Sequence, residues 1–362
     1  MATTGWSWDW RFAFPEAARS TACRSTPSCT CPARGSPAKR PWPGGCFASP
    51  YRWKDGIGPQ HARRVTRREL WDDLDINSLG TDEFIALCRK VGAEPLIVVN
   101  IGTPQWNVDA NTYDFLQDAL DWIEYCNGPA DSKWGKVRAA NGHPKPYNVK
   151  YWEIDNETWA MGADDYVAAI KRFAPAMRQA DPSIKLAACG SNRFDLNWNR
   201  RVIEGAGELF DYISIHSYEN PDRYADGPYN YERFIRQTGD IIAQSANPKM
   251  KIYCSEWNAQ STDWRTGLYA GGVLNGFERC GAVFEIGGPA LFLRHVSGTA
   301  WDNAFINFDH TGWFPAPNYV VMRLWWDNYA PKFLPVEGDL GNTLNTFIGE
   351  AQAQALGMHQ CN

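Results

Sequence analysis

The sequence predicts an α/β fold in which parallel strands alternate with crossover helices and close into a barrel. Three observations carry this expectation. Short apolar runs recur and end on polar residues: EPLIVVN at Asn100, VKYWEIDNE at Glu157, IKLAACGS at Ser191, FDYISIHSY at Tyr218, MKIYCSEW at Trp257 and NAFINFD at Asp309. Between them lie helical patterns, and such alternation implies parallel strands joined by right-handed crossovers. No Gly-x-Gly-x-x-Gly follows an early strand, which weakens a doubly wound dinucleotide-binding sheet and leaves a (β/α)8 barrel of TIM type.

Taken in order, residues 1–41 carry Ser, Thr, Pro, Arg and Cys without periodicity and read as an irregular N-terminal segment. Residues 42–347 carry the strand and helix patterns and form the barrel, and residues 348–362 are a C-terminal tail. In TYDFLQDALDWIEYCNG, Phe115, Leu116, Ala119, Leu120 and Ile123 repeat at three and four, and Gly128 is the stop. A length of 362 residues suffices for one such barrel.

Composition narrows the function. A net charge of -5 gives no basic field for nucleic acid, and no run of eighteen apolar residues is available to span a bilayer. With 18 Trp, 15 Tyr and 17 Phe, most aromatics belong to the core, but indole faces also stack on sugars, so composition leans toward carbohydrate. Seven cysteines lie singly, and Cys23, Cys29 and Cys31 lack a fourth ligand at zinc spacing. No metal and no cofactor is expected. No apolar segment of signal-peptide type follows Met1, which points to the cytoplasm and leaves secretion open because the N-terminus is atypical.

A barrel delivers the C-terminal ends of its strands to one face. Those ends carry Asn100, Asn156-Glu157, His216-Ser217-Tyr218 and Glu256-Trp257. Glu157 and Glu256 lie about three units of roughly 31 residues apart, three strands round the barrel. Two carboxyl groups flanking a glycosidic bond are the minimal machinery for its hydrolysis. Glu157, near the charge of Glu256 and between Trp152 and Trp159, is expected to be the one kept protonated. Asn156 is placed to donate to a sugar hydroxyl and Tyr218 to donate to Glu256. Taken singly, each glutamate is more often a solvated surface residue and His216 a satisfied core histidine. Two-residue alternation also sets Asn156 and Glu157 on opposite faces, so their joint use requires a twist or bulge.

RPWPGGCFASPYRWKDGIGP, DWIEYCNGP, KYWEIDNETW, ISIHSYEN and KIYCSEWN, in this order, resemble the α-L-arabinofuranosidases of glycoside hydrolase family 51, over roughly Pro41 to Phe347. The resemblance implies a retaining glycoside hydrolase with Glu157 as acid/base on the fourth strand and Glu256 as nucleophile on the seventh. It implies that Asn156 binds the sugar 2-hydroxyl, that Tyr218 contacts the nucleophile and that the turn at Cys46 lines the innermost subsite. The candidate site is then Glu157 and Glu256, with His216, Asn100, Trp257, Asn156, Tyr218 and Cys46 around the sugar. The chain departs from the family in three ways. Nothing before Trp42 resembles the first strand with its substrate-binding glutamate, Asp155 stands in a pattern that is usually Gly-Asn-Glu, and little sequence remains for a C-terminal β-sandwich. The expected fold is therefore a barrel trimmed at both ends, with Thr4 to Phe14 substituting for the first strand beside Trp42–Gly45.

The function this implies is exo-acting release of terminal α-L-arabinofuranose from arabinan or arabinoxylan, with an oligo- or polysaccharide as partner and assembly into homo-oligomers. An endo-β-1,4-glucanase or xylanase on the same barrel is the nearest alternative, since fold and glutamate pair are shared. A catalytically dead sugar-binding protein is the alternative from another class.

Overall fold

Seven extended segments pair side by side, every ladder between them parallel, and the residues that end them define one rim. The computed structural model describes residues 38–42, 47–68, 73–107, 109–298 and 301–328. Strand β1 (Ala38–Trp42) is followed by a short antiparallel pair, β2 (Thr66–Arg68) and β3 (Asp73–Asp75), then α1 (Thr81–Lys90) and β4 (Ala93–Val99). Helices α2 (Phe115–Asn127) and α3 (Lys133–Ala140) lead to β5 (Tyr151–Ile154), and α4 (Ala163–Ala180) to β6 (Lys185–Asn192). The alternation continues through α5 (Leu196–Ala206), β7 (Tyr212–Glu219), α6 (Gly227–Ala243), β8 (Lys251–Ala259), α7 (Trp264–Arg279) and β9 (Phe284–Gly287). A separate sheet of β10 (Leu293–His295), β11 (Ile306–Phe308) and β12 (Trp313–Pro315) precedes α8 (Pro317–Asp327). The order in the large sheet is β1-β4-β5-β6-β7-β8-β9.

The apolar runs follow from burial on both faces. In β4, Leu96 and Val98 join an inner cluster with Ala187, Tyr212, Tyr253 and Ile286, whereas Ile97 and Val99 join the larger layer between sheet and helices. The same alternation sends Trp152 and Ile154 outward and Tyr151 inward. Helix α2 is capped by the Asp114 carboxylate, which accepts from the Gln117 N–H, and it ends at Gly128 where the pattern sets its stop.

The α/β class holds, and several details differ from the sequence reading. Strand β1 begins at Ala38, inside the stretch expected to be irregular. Its register, Ala38 opposite Ala93 through Trp42 opposite Ile97, tolerates Pro41, which strands carry at an edge. The run ending at Asp309 contributes β11 to the small sheet, and the last strand of the large sheet is β9, a four-residue segment too short to stand out by periodicity. Among the described residues β1 pairs only with β4 and β9 only with β8. Thr4 to Phe14, Cys46 and residues 348–362 lie outside the described residues. No helix among the described residues is long and apolar enough to cross a membrane.

One side chain ties α4 to the strands that carry the site. Tyr166 donates to the Ile154 carbonyl at 2.6 Å and accepts from the Cys189 N–H at 2.6 Å, fully buried. Tyr166→Phe strands both backbone groups, at a cost of roughly 2–4 kcal/mol. Urea unfolding is expected to show a lower midpoint at unchanged slope, and an unmoved midpoint would contradict this role.

Candidate active site

Strand β5 ends at Ile154, and the chain then abandons extended geometry. Asp155 has φ 55° and Glu157 φ 52°, both left-handed, a region uncommon for residues with a β-carbon. The two turns bracket Asn156 and break the alternation that would have set it opposite Glu157. Such backbone costs on the order of 1 kcal/mol or more per residue and persists where the surroundings over-determine it. Here the Asp155 carboxylate accepts from Ser49 Oγ at 2.5 Å, the Asn156 N–H at 2.7 Å, Thr103 Oγ1 at 2.9 Å and the Ile101 N–H at 3.2 Å. The turn is thereby fastened to the segments that follow β1 and β4.

Three strands away, β8 carries an irregularity of its own. Ile215 pairs with Cys254 and His216 with Glu256, so Ser255 is the extra residue of a bulge. Ser255 and Glu256, neighbours in sequence, therefore both reach His216. The imidazole contacts Ser255 Oγ through Nε2 at 2.6 Å and Glu157 Oε1 through Nδ1 at 2.8 Å, and Nδ1 lies 3.9 Å from Glu256 Oε2. Tyr218 Oη donates to Glu256 Oε2 at 2.5 Å. One carboxylate oxygen from each glutamate and a His216 ring nitrogen all lie within 4.8 Å of one another, and among the described residues this is the group with the spacing to hold a metal ion. His216 is 1% exposed, whereas Glu157 and Glu256 keep 18% and 12% of their side chains open, so an entering molecule meets the carboxylates rather than the ring.

Burial and mutual charge shape the protonation. Burial by itself pulls His216 down, but the carboxylates of Glu256 and Glu157 outweigh it and push the imidazole up to about 9. Burial also pushes Glu256 up, with the charge of Glu157 adding to the rise, while His216 and the Tyr218 hydroxyl oppose it. Two residues before Asp155, burial drives Glu153 up to about 7 against the pull of Ser214 and His216. Asp155 is raised by burial, opposed by Ser49, the Asn156 and Ile101 amides and Thr103.

The residues singled out from the sequence do not all meet at this point. Asn156 is buried next to Glu157 in the chain, and its Nδ2 has no partner among the described residues. Asn100 is engaged elsewhere: its Nδ2 donates to Asn107 Oδ1 and to the Tyr51 carbonyl, and its Oδ1 accepts from Gly102. Trp257 points away from the site, its ring against Tyr269 and Phe277 of α7, because the bulge at Ser255 sends Glu256 inward and its successor outward. Trp152 likewise packs outward, edge-on to Trp122, and does not flank Glu157, while Trp159 meets the His216 ring edge-on at 5.8 Å. Ser49, Thr103, Glu153 and Ser255 belong to the site and escaped the sequence reading. Only Ser255, next to Glu256, carried a signal, and it required knowing the bulge.

Parallel strands that bring two carboxyl groups this close are the arrangement of glycosidases working through a carboxylate pair. Residues 36–236 match the family model described as the alpha-L-arabinofuranosidase 1 domain. Over 237 residues the chain is 35% identical to the intracellular exo-alpha-(1->5)-L-arabinofuranosidase of Acetivibrio thermocellus and 34% identical to intracellular exo-alpha-(1->5)-L-arabinofuranosidase 1 of Bacillus subtilis. In each case 60% of this chain matches 45% of the relative, so it spans about half the length of these curated relatives. The α-L-arabinofuranosidase of Thermotoga maritima, solved with arabinose, superposes with a TM-score of 0.68 at 32% identity, over 78% of this chain and 59% of that one. The family 51 enzyme of Thermotoga petrophila gives 0.68 at 33% identity with the same coverage. The chain belongs to the α-L-arabinofuranosidases of glycoside hydrolase family 51.

The raised His216 has a consequence for stability. Its folded pKa of about 9 lies above its ordinary 6.5, so its stabilisation is complete below pH 6.5 and is lost as pH rises through about 9. Denaturant unfolding across that window is expected to show a steeper fall for the native sequence than for His216→Gln. Equal slopes would exclude the charged imidazole as their source.

Proposed function

We propose that this chain is the catalytic region of a retaining glycoside hydrolase that releases terminal α-L-arabinofuranosyl residues from arabinan- or arabinoxylan-type polysaccharides. The observation that carries the reading is the approach of Glu157 and Glu256, one oxygen of each within 4.8 Å of the other. Retaining enzymes hold their carboxyl groups about 5–5.5 Å apart, and inverting ones leave about 6.5–9.5 Å for a water. The arabinose complex of the Thermotoga maritima relative supports the choice of sugar. The names of the Acetivibrio and Bacillus relatives support exo action and a cytoplasmic setting. Self-association is part of the proposal and is read by sedimentation.

In this mechanism Glu256 attacks the anomeric carbon while the glycosidic C–O bond breaks. Glu157 gives its proton to the leaving oxygen, and a glycosyl ester forms on Glu256. Glu157, now ionised, takes a proton from water, whose oxygen displaces Glu256 from the sugar. The Tyr218 hydroxyl holds Oε2 of Glu256, which leaves Oε1 for the attack. His216, bonded to Glu157 and close to Glu256, lowers the cost of ionising either carboxyl as the proton moves. The Asn156 amide, whose Nδ2 has no partner among the described residues, is a donor for a sugar hydroxyl beside the reacting carbon.

A panel of nitrophenyl glycosides tests the sugar, and turnover of the α-L-arabinofuranoside alone is expected. Glu256→Ala is expected to abolish turnover of every substrate, whereas Glu157→Ala spares kcat/KM, which reports formation of the glycosyl ester, for aryl glycosides whose leaving group needs no proton, and lowers kcat because hydrolysis of that ester loses its base. Equal loss of kcat/KM on activated and natural substrates would remove the acid/base role from Glu157.

A further inference from the structure

We propose that Asp155 is a positioning residue for the reaction: its carboxylate clamps the left-handed turn that presents Asn156 and Glu157, and the placement of the proton donor depends on that clamp. The inference rests on reading Glu157 as the acid/base. Asp155 is wholly buried, and each of its oxygens takes one hydroxyl and one amide. Oδ1 accepts from Ser49 Oγ and the Asn156 N–H, and Oδ2 from Thr103 Oγ1 and the Ile101 N–H. The donors come from three separate segments, so the carboxylate is a junction rather than a local turn.

The backbone alone does not call for this residue. Glycine adopts a φ of 55° without strain, whereas aspartate is strained there and its buried carboxyl is held by four hydrogen bonds with no cation among their donors. What aspartate adds is a fixed position for the turn. Ser49 Oγ also lies 3.2 Å from the Asn156 carbonyl, so both backbone groups of Asn156 are held from the same junction. The residue between the clamp and the acid cannot then rotate independently, and Glu157 follows at the next position with its own left-handed φ.

The test compares Asp155→Gly, which suits the backbone and removes the clamp, with Asp155→Asn, which keeps one acceptor oxygen. Glu157→Ala is the control. Each is assayed on an aryl arabinofuranoside and on an arabino-oligosaccharide, with amide hydrogen exchange at Asn156 and Glu157 as a readout free of activity. We expect Asp155→Gly to keep the fold, to speed exchange at both amides and to lower kcat/KM, the parameter compared for every variant here, on the oligosaccharide on the order of tenfold to a hundredfold. The aryl substrate should change little, and Asp155→Asn should fall between. Unchanged exchange, or equal loss on both substrates in a folded Asp155→Gly protein, overturns the clamp. If Glu157→Ala fails to separate the two substrates, the acid/base reading falls instead. Faster exchange in Asp155→Gly with an undiminished oligosaccharide rate leaves the turn clamped but refutes its role in the reaction.

Discussion

Among the described residues, His216 is the cationic side chain at the heart of an acidic cluster. Glu157 and Glu256 approach within 4.8 Å, where two full charges repel by about 3–4 kcal/mol at an effective dielectric of about 20. Glu153 on β5 and Asp155 in the turn just after it add two more buried carboxyls. An imidazole bonded to one carboxylate and 3.9 Å from the other lets the pair stand close without both being driven neutral. Ser255 fixes the ring from its far side, so the cation is held in place rather than drawn to whichever carboxylate is charged.

That placement depends on strands that are not regular. Register shifts occur between β6 and β7, between β7 and β8, and between β8 and β9. Each inserts a residue and changes which side chains face inward beyond it. Below the shifts of β6 against β7 and of β7 against β8 the inner face is ordinary core, with Ala187, Tyr212 and Tyr253 in one cluster. Above them it is polar. The left-handed pair at Asp155 and Glu157 does the same for β5 by a different route. The rim of the sheet is thus a layer where alternation has been overridden strand by strand.

This explains what the sequence could and could not reveal. The strands themselves were legible because burial on both faces writes continuous apolar runs, and Glu157 and Glu256 stood out because they lie at or next to the ends of theirs. Parity beyond a bulge was not legible. Trp257 looked like a sugar platform beside Glu256 and instead packs on α7, since nothing local in KIYCSEWN marks Ser255 as the extra residue. Asn100 looked like a substrate ligand because a polar strand end gives no hint that Asn107, seven residues on, will engage its amide. Strand β9 was too short to register, and β1 was masked by the lysine, arginine and proline in its five residues.

The polar residues of the rim fall into two assemblies, and the distinction decides what sets the distance between the carboxyl groups. Asn107 donates to the carbonyls of Ser49 and Thr103 and is bonded to Asn100, while Ser49 and Thr103 both donate to Asp155. This network joins the segments after β1 and β4 to the end of β5 and carries Glu157. The other assembly is strand-borne: Tyr218 and His216 on β7 hold Glu256 and Ser255 on β8 through side chains two residues apart or adjacent. The 2.8 Å contact from His216 to Glu157 Oε1 joins the two. In a two-carboxylate glycosidase the separation of those groups determines whether attack comes from the enzyme or from water. Here that separation is not a property of either glutamate's own strand but of how a loop-built network and a strand-built one are brought together at a single imidazole.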